Sequence, residues 1–165
     1  MDWLIAAVET AFFRNVAFLV GVMVAVLSVI SVRATARRKQ SADVIFATRN
    51  DELLRKGIRL IREEALHENS NIRKYARAPE AQSENAAAIR YVLNHFEYVA
   101  VGIRNGIYDE GMFKEASYST IMEIRRHSET YIADVRTEQK RDTIYQEFCW
   151  LCERWKKKPL KPRSK

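Results

Sequence analysis

Apolar and polar positions along the chain fall into two regimes. Residues 15–32, NVAFLVGVMVAVLSVISV, contain no charged side chain and no polar stripe at helical spacing. A run of this length is near the lower end of what crosses a hydrocarbon core as a helix. The preceding DWLIAAVETAFF can lengthen the span if the helix tilts or if Arg14 reaches back toward water. Trp3, Phe12 and Phe13 suit the interfacial zone. A helix packed on the core of a small soluble domain would carry a polar face, which is missing here. A cleaved signal peptide is disfavoured too: Asp2 and Glu9 precede the apolar core, and no small-x-small site opens onto the chain that follows.

Beyond residue 32 the pattern turns to helical period. Residues 33–48 read as a juxtamembrane linker or as a continuation of the membrane helix. Thr48 or Asn50 is expected to cap the next helix, with Asp51 and Glu52 in its first turn. Leu54, Ile58, Ile61 and Ala65, widened by Leu53 and Leu60, predict an amphipathic helix of about 18–25 residues. The stretch near 69–80, with Pro79, reads as an irregular connection. The strongest signal follows. Ile89, Val92, Phe96, Val99 and Ile103 share one face, Leu93 and Ala100 lie beside it, and Gly106 is a stop. A face that wide predicts a central helix packed on more than one side. Asp109 is expected to cap a short helix, and Ser117 or Ser119 to start another carrying Ile121, Ile124, Tyr131 and Val135. A last helix is predicted from Asp142 or Thr143, with Ile144, Phe148, Leu151 and Trp155 inward and three lysines at its end, where cations are favoured.

No stretch alternates with period two. Only 5 glycines and 3 prolines punctuate the chain, which again favours long helices. The fold expected is all-α: one N-terminal transmembrane helix, then a four- to five-helix bundle of roughly 110 residues. The expected divisions are an interfacial segment at 1–14, the span at 15–32, a basic linker at 33–48, the helical domain at 49–155 and a basic tail at 156–165.

Charge sharpens this picture. The net charge is +7, but it is concentrated at two places. Arg33, Arg37, Arg38 and Lys39 follow the span directly. Arg154, Lys156, Lys157, Lys158, Lys161, Arg163 and Lys165 close the chain with no acid among them. The middle, 40–153, is left net acidic. The positive-inside rule then predicts the N-terminus outside and residues 33–165 in the cytoplasm. Both basic clusters are expected to meet anionic lipid headgroups, and nucleic acid is the less favoured partner.

Candidate chemistry is sparse. Cys149 and Cys152 form a C-x-x-C and fit a reducing compartment. Without a βαβ context or ligand-spaced histidines (His67, His95 and His127 are scattered), the expected role is core packing, with no metal and no cofactor. Nucleotide-binding glycine motifs and a nucleophile elbow are missing. Asn94, His95 and Glu97, near Arg104, Asn105, Asp109 and Glu110, are the one polar cluster that could hold a catalytic acid–base pair. His95 and Glu97 stand two apart and so face different ways on a helix. The favoured reading is structural: Asn94 and Glu97 in buried hydrogen bonds to neighbouring helices or to a basic side chain.

The segment AAAIRYVLNHFEYVAVGIRNGIYDEGMF resembles the bacterial and phage family known as domain of unknown function 4760, through Leu93, Asn94, Phe96, Glu97, Gly102, Ile103, Asp109 and Glu110. The stretch YIADVRTEQKRDTIYQEFCWLCERW is similar to the family's closing helix at Arg136, Tyr145, Glu147 and Trp155. The likeness spans about 40–155 and is weaker between Ser117 and Ser128. It implies no enzyme activity. It implies a prophage or accessory-gene context, in which small inner-membrane proteins often act in superinfection exclusion. The function expected is therefore a membrane-tethered, non-enzymatic interaction protein whose protein partner the sequence does not name. The alternatives are an oligomeric scaffold, with Gly21 and Ala25 as a small-x-x-x-small pair, and a membrane enzyme built around Glu97.

Overall fold

The computed structural model describes residues 2–66 and 71–162, without the side chains at 2, 4, 5, 7–9 and 11. His67, residues 69–70 of the expected connection, Arg163 and Lys165 lie outside the described residues. Among those described, the structure is helical with no strand. It divides into two compact units, Met1–Lys39 and Gln40–Lys165.

The first unit is the leading part of helix α1 (Asp2–Asn50). Its apolar side chains meet no protein. Leu19, Met23, Leu27 and Ile30 are each more than half exposed. Within Phe12–Asn50, an 18-residue window has a mean hydropathy of 2.5 and none of it is buried. A monomeric soluble protein rarely leaves so large a contiguous apolar surface to water. Among the described residues this is the one helix long and apolar enough to cross a membrane. Of the two readings of residues 33–48, the structure has the helical one, since α1 runs without a break to Asn50.

The second unit begins with the last turns of that helix. Ser41 is buried there, and Val44 and Ile45 pack against the core. One residue, Asp51, separates α1 from α2 (Glu52–Leu66). Its carboxylate accepts the Leu54 N–H at 2.9 Å and the Tyr91 hydroxyl at 2.6 Å. The cap is thus Asp51 and not Thr48 or Asn50: the Thr48 hydroxyl donates back to the Val44 carbonyl, and Asn50 is still helical. Helix α2 covers 15 residues and reaches Leu66, the last residue described before residue 71. Leu54, Gly57 and Ile61 are buried, whereas Leu53 and Ala65 are exposed.

Gly57 is the point where α2 lies closest to α3 (Glu84–Arg104). A Cβ there would stand 2.5 Å from Val92 Cγ2 and 2.6 Å from the Ala88 carbonyl oxygen. A side chain can rotate away, but a backbone carbonyl cannot. Gly57→Ala gains about 1 kcal/mol of helix propensity and loses about 1–3 kcal/mol to overpacking. The expected result is a net destabilisation, read as a lower denaturation midpoint; a midpoint at or above the parent's would refute the close contact.

The connection contains two 3₁₀ turns, Ile72–Ala76 and Glu80–Gln82, rather than irregular chain throughout. Ile72 and Tyr75 anchor it in the core. Helix α3 starts where the Ser83 hydroxyl accepts the Ala86 N–H. At its end Gly106 takes φ +69°, and the N–H groups of Gly106 and Ile107 bond the carbonyls of Ile103 and Gly102. This closure needs a left-handed residue, which glycine adopts without steric cost. All seven apolar positions assigned to the helix are buried, and it packs against both α2 and α6.

Helix α4 (Glu110–His127) differs from expectation. It runs straight through Ser117 and Ser119, where no glycine or proline interrupts the ladder. The break falls at Ser128, a buried residue whose hydroxyl and N–H both bond the Ile124 carbonyl. The single predicted stripe is therefore split, with Ile121 and Ile124 on α4 and Tyr131 and Val135 on α5 (Glu129–Gln139). Helix α6 (Gln146–Lys157) starts later than Asp142 or Thr143, because residues 142–145 form a turn ending on Tyr145 at φ +55°. Phe148, Leu151 and Trp155 are its fully buried residues, with Cys152 beside them.

Candidate functional site

Three of the polar residues singled out in the sequence, Glu97, Arg104 and Glu110, converge on α6. Glu97 is half-buried on α3, and its carboxylate oxygens accept the backbone N–H groups of Glu147 at 3.1 Å and Phe148 at 2.6 Å. Tyr145, the residue in the N-cap position, makes no side-chain cap of its own. A carboxylate from another helix therefore takes the place of a cap, at the end where the helix dipole favours negative charge. Two turns further along α3, Arg104 donates from one nitrogen to both Glu147 oxygens, at 2.6 and 2.7 Å. That guanidinium holds the Glu147 carboxyl below its usual range. It also stands 5.3 Å over the Trp150 ring.

A second set of contacts grips the far half of α6. Glu110 Oε1 accepts from Arg154 Nε at 2.8 Å and from the Trp155 indole at 3.1 Å. The Arg154 hydrogen bond is the main cause of the lowered Glu110 pKa. Next to it, Asp109 caps α4 by accepting the Met112 N–H, and its own N–H donates to the buried Ser41 hydroxyl at 2.7 Å. Phe96 stacks on Phe148 at 6.2 Å between ring centroids, inside the core. Gly102 lies beneath the Tyr108 ring, where a Cβ would come within 2.2 Å of it. Arg136 donates to the Ile144 carbonyl and, at 3.6 Å, to the Cys149 sulfur.

His95 faces away from this set. It is half-buried, and its Nε2 lies 3.1 Å from the Thr48 hydroxyl oxygen. Burial lowers its pKa from the ordinary 6.5, partly offset by Asp51. Asn94 corrects the expectation of a buried amide: it is exposed on α3. The favoured structural reading therefore holds for Glu97 and fails for Asn94. The two cysteines are unpaired, Cys152 buried and Cys149 half-buried. Burial pushes the Cys152 thiol up to about 12, which disfavours the thiolate that redox or metal chemistry needs. Among the described residues, no three His, Cys, Asp or Glu side chains group as a metal site.

The basic clusters are on the surface. Arg33, Arg37, Arg38 and Lys39 are exposed on α1; Lys156, Lys157 and Lys158 are exposed at the end of α6. The Lys114 ammonium donates to the Lys158 carbonyl there.

Sequence reasoning missed the tie between the first 3₁₀ turn and α5. Asp134 is buried and accepts from Arg73 Nε and Nη2, both at 2.9 Å, and pairs with Arg77 at 3.1 Å. The partners are 61 residues apart, beyond any helical spacing; the one local hint was an acid inside an otherwise inward-facing stretch. Arg73 holds the Asp134 carboxyl below its usual 3.8. A lowered carboxyl pKa adds stability that is complete above the unfolded value and is lost as pH falls through the folded one. Glu110 and Glu147 act with the same sign. His95, kept neutral by burial, costs stability earlier, as pH falls below its unfolded 6.5. The melting temperature should therefore decline in two stages, gently below about pH 6.5 and steeply below about pH 4. Melts of His95→Gln and Asp134→Asn against pH should each flatten one stage; two unchanged profiles would remove this account.

The class defined by these observations is an all-helical domain preceded by one long, exposed, apolar helix, with its last helix held by polar contacts from α3 and α4. The chain belongs to the family described as Domain of unknown function (DUF4760), whose model matches residues 15–155. Nothing among curated proteins or solved structures matches it.

Proposed function

We propose that this chain is a single-pass protein of the inner membrane, with the residues before the span outside and 33–165 in the cytoplasm, acting as a tethered, non-enzymatic interaction protein. One observation carries the reading: a charge-free, fully exposed stretch of α1 is followed within seven positions by Arg33, Arg37, Arg38 and Lys39. Lipid is the solvent that suits such a surface, and flanking cations set orientation. The non-enzymatic part is supported by the engagement of Glu97, Arg104, Asp109 and Glu110, each of which holds a helix. Anionic headgroups are the partners proposed for the exposed basic clusters. Superinfection exclusion is the specific role we attach to the tether, following the family's context.

The test starts with the full chain in cells. It should stay in the membrane pellet after alkaline carbonate washing, and a green fluorescent reporter at its C-terminus should fluoresce. Release into the supernatant would overturn the tether. A C-terminal alkaline phosphatase fusion active outside the cell would reverse the orientation. Unchanged plating of a phage panel on expressing cells would reject exclusion and leave the tether standing.

A further inference from the structure

Helices α3 and α5 and the turn that joins α5 to α6 line a cavity of about 350 Å³. That volume lies within the range of pockets that take small molecules. The turn is held from within the chain. The Arg136 guanidinium donates to the Ile144 carbonyl at 2.9 Å, and the Gln146 N–H donates to the Thr143 carbonyl at 3.2 Å. Tyr145 ends the turn in the left-handed region, and its ring belongs to the core.

Tyr145 is the unusual member of the lining. It is only 7% exposed, and its hydroxyl has no hydrogen-bond partner among the described residues. Buried hydroxyls seldom go without one. This hydroxyl is not sealed off: among the described residues, the one side-chain polar atom both fully buried and unpartnered is elsewhere, at Arg125. Burial raises the Tyr145 pKa, so the group stays protonated and can donate.

The charge around the cavity is uneven. Arg90 and Arg141 are its two cations, and neither makes an ion pair among the described residues. Arg90 is half-buried; it gives one N–H to the Ala81 carbonyl at 2.6 Å and lies beside the buried Tyr131 hydroxyl. Arg141 is exposed on the turn. Glu97 is the one carboxylate in the lining, and both its oxygens already accept N–H groups of α6. Asn94, Gln139 and Thr143 are exposed at the rim and add amide and hydroxyl groups. Unpaired guanidinium groups beside a neutral hydroxyl donor match a dianionic phosphate, which offers more terminal oxygens than a carboxylate. The amides and hydroxyl of the rim suit a hydroxylated body better than an apolar one.

We propose that this cavity binds a small phosphorylated polyol, with phosphate oxygens accepting from Arg90, Arg141 and the Tyr145 hydroxyl, and the hydroxylated body meeting Asn94, Gln139 and Thr143. The site does not depend on the membrane reading.

The experiment titrates the full chain calorimetrically in a neutral detergent at constant low ionic strength, where exposed charges are least screened. The probes are glucose 6-phosphate and glycerol 3-phosphate, with glucose and inorganic phosphate as controls. At least one ester should bind saturably and more tightly than inorganic phosphate, by about tenfold, and glucose should not bind. Tyr145→Phe should weaken binding about tenfold, the worth of one hydrogen bond to a charged group. The unliganded variant should melt at or above the parent temperature, because the hydroxyl it removes has no partner in the fold. Arg141→Ala, at an exposed turn position, should weaken binding to a similar degree and leave the melt unchanged. No saturable binding of either ester, inorganic phosphate bound as tightly as the esters, binding of glucose, or full binding by either variant would each overturn the proposal.

Discussion

Trp155→Ala is expected to lower the stability of the helical domain by about 3–5 kcal/mol, the usual cost of deleting a fully buried aromatic. Trp155 is completely buried. Its ring stacks on Tyr118 at 5.9 Å, and its indole N–H donates to Glu110. Its loss opens a cavity where α4 and α6 meet and removes one of two contacts that hold Glu110. Against a typical total of about 5–15 kcal/mol, that is a large share. Denaturant titration of the detergent-solubilised chain, followed by near-ultraviolet circular dichroism, should show the midpoint falling with an unchanged slope. Trp155→Phe keeps most of the volume and should recover more than half of the loss. A shift below about 1 kcal/mol for the alanine variant would mean that the domain core is not organised around this ring.

Glu97→Ala comes second, at about 2–4 kcal/mol. The Glu147 and Phe148 amides would lose a charged acceptor in a half-buried place, and hydrogen bonds to charged groups are worth about 1.5–3 kcal/mol each. Partial access to water keeps the sum below the simple total. Glu97→Gln retains one oxygen and should cost roughly half as much. The two readings of Glu97 separate here. As a helix-holding residue, it should change the unfolding midpoint in proportion to the acceptors lost. As a catalytic acid, it would tolerate the glutamine change with its stability intact. A Glu97→Gln variant as stable as the parent would therefore reopen the enzyme reading.

How much of this was legible beforehand varies by element. Helix α3 was readable along its length, because its apolar positions and its Gly106 stop act within a few residues of each other; its cap, Ser83, was not assigned beforehand. The α4–α5 boundary was not readable. Ser117, Ser119 and Ser128 offer similar local chemistry, and only burial of Ser128 makes it the break. Glu97 was correctly expected to bond a neighbouring helix, but its partner was not foreseeable, since the amides it meets lie 50 and 51 residues away. Asn94, three residues earlier, carried a comparable polar signal and turned out exposed.

By itself, the amino-acid order determined the long apolar helix at the front, the all-helical character behind it and the inward face of each long helix, since hydrophobic periodicity and capping act over one or two turns. The tertiary structure alone decided which carboxylate meets which guanidinium or backbone amide: Glu97 with the start of α6, Glu110 with Arg154 and Trp155, Asp134 with Arg73. Those outcomes depend on how helices far apart in the chain are brought side by side, and no spacing along the chain encodes that distance.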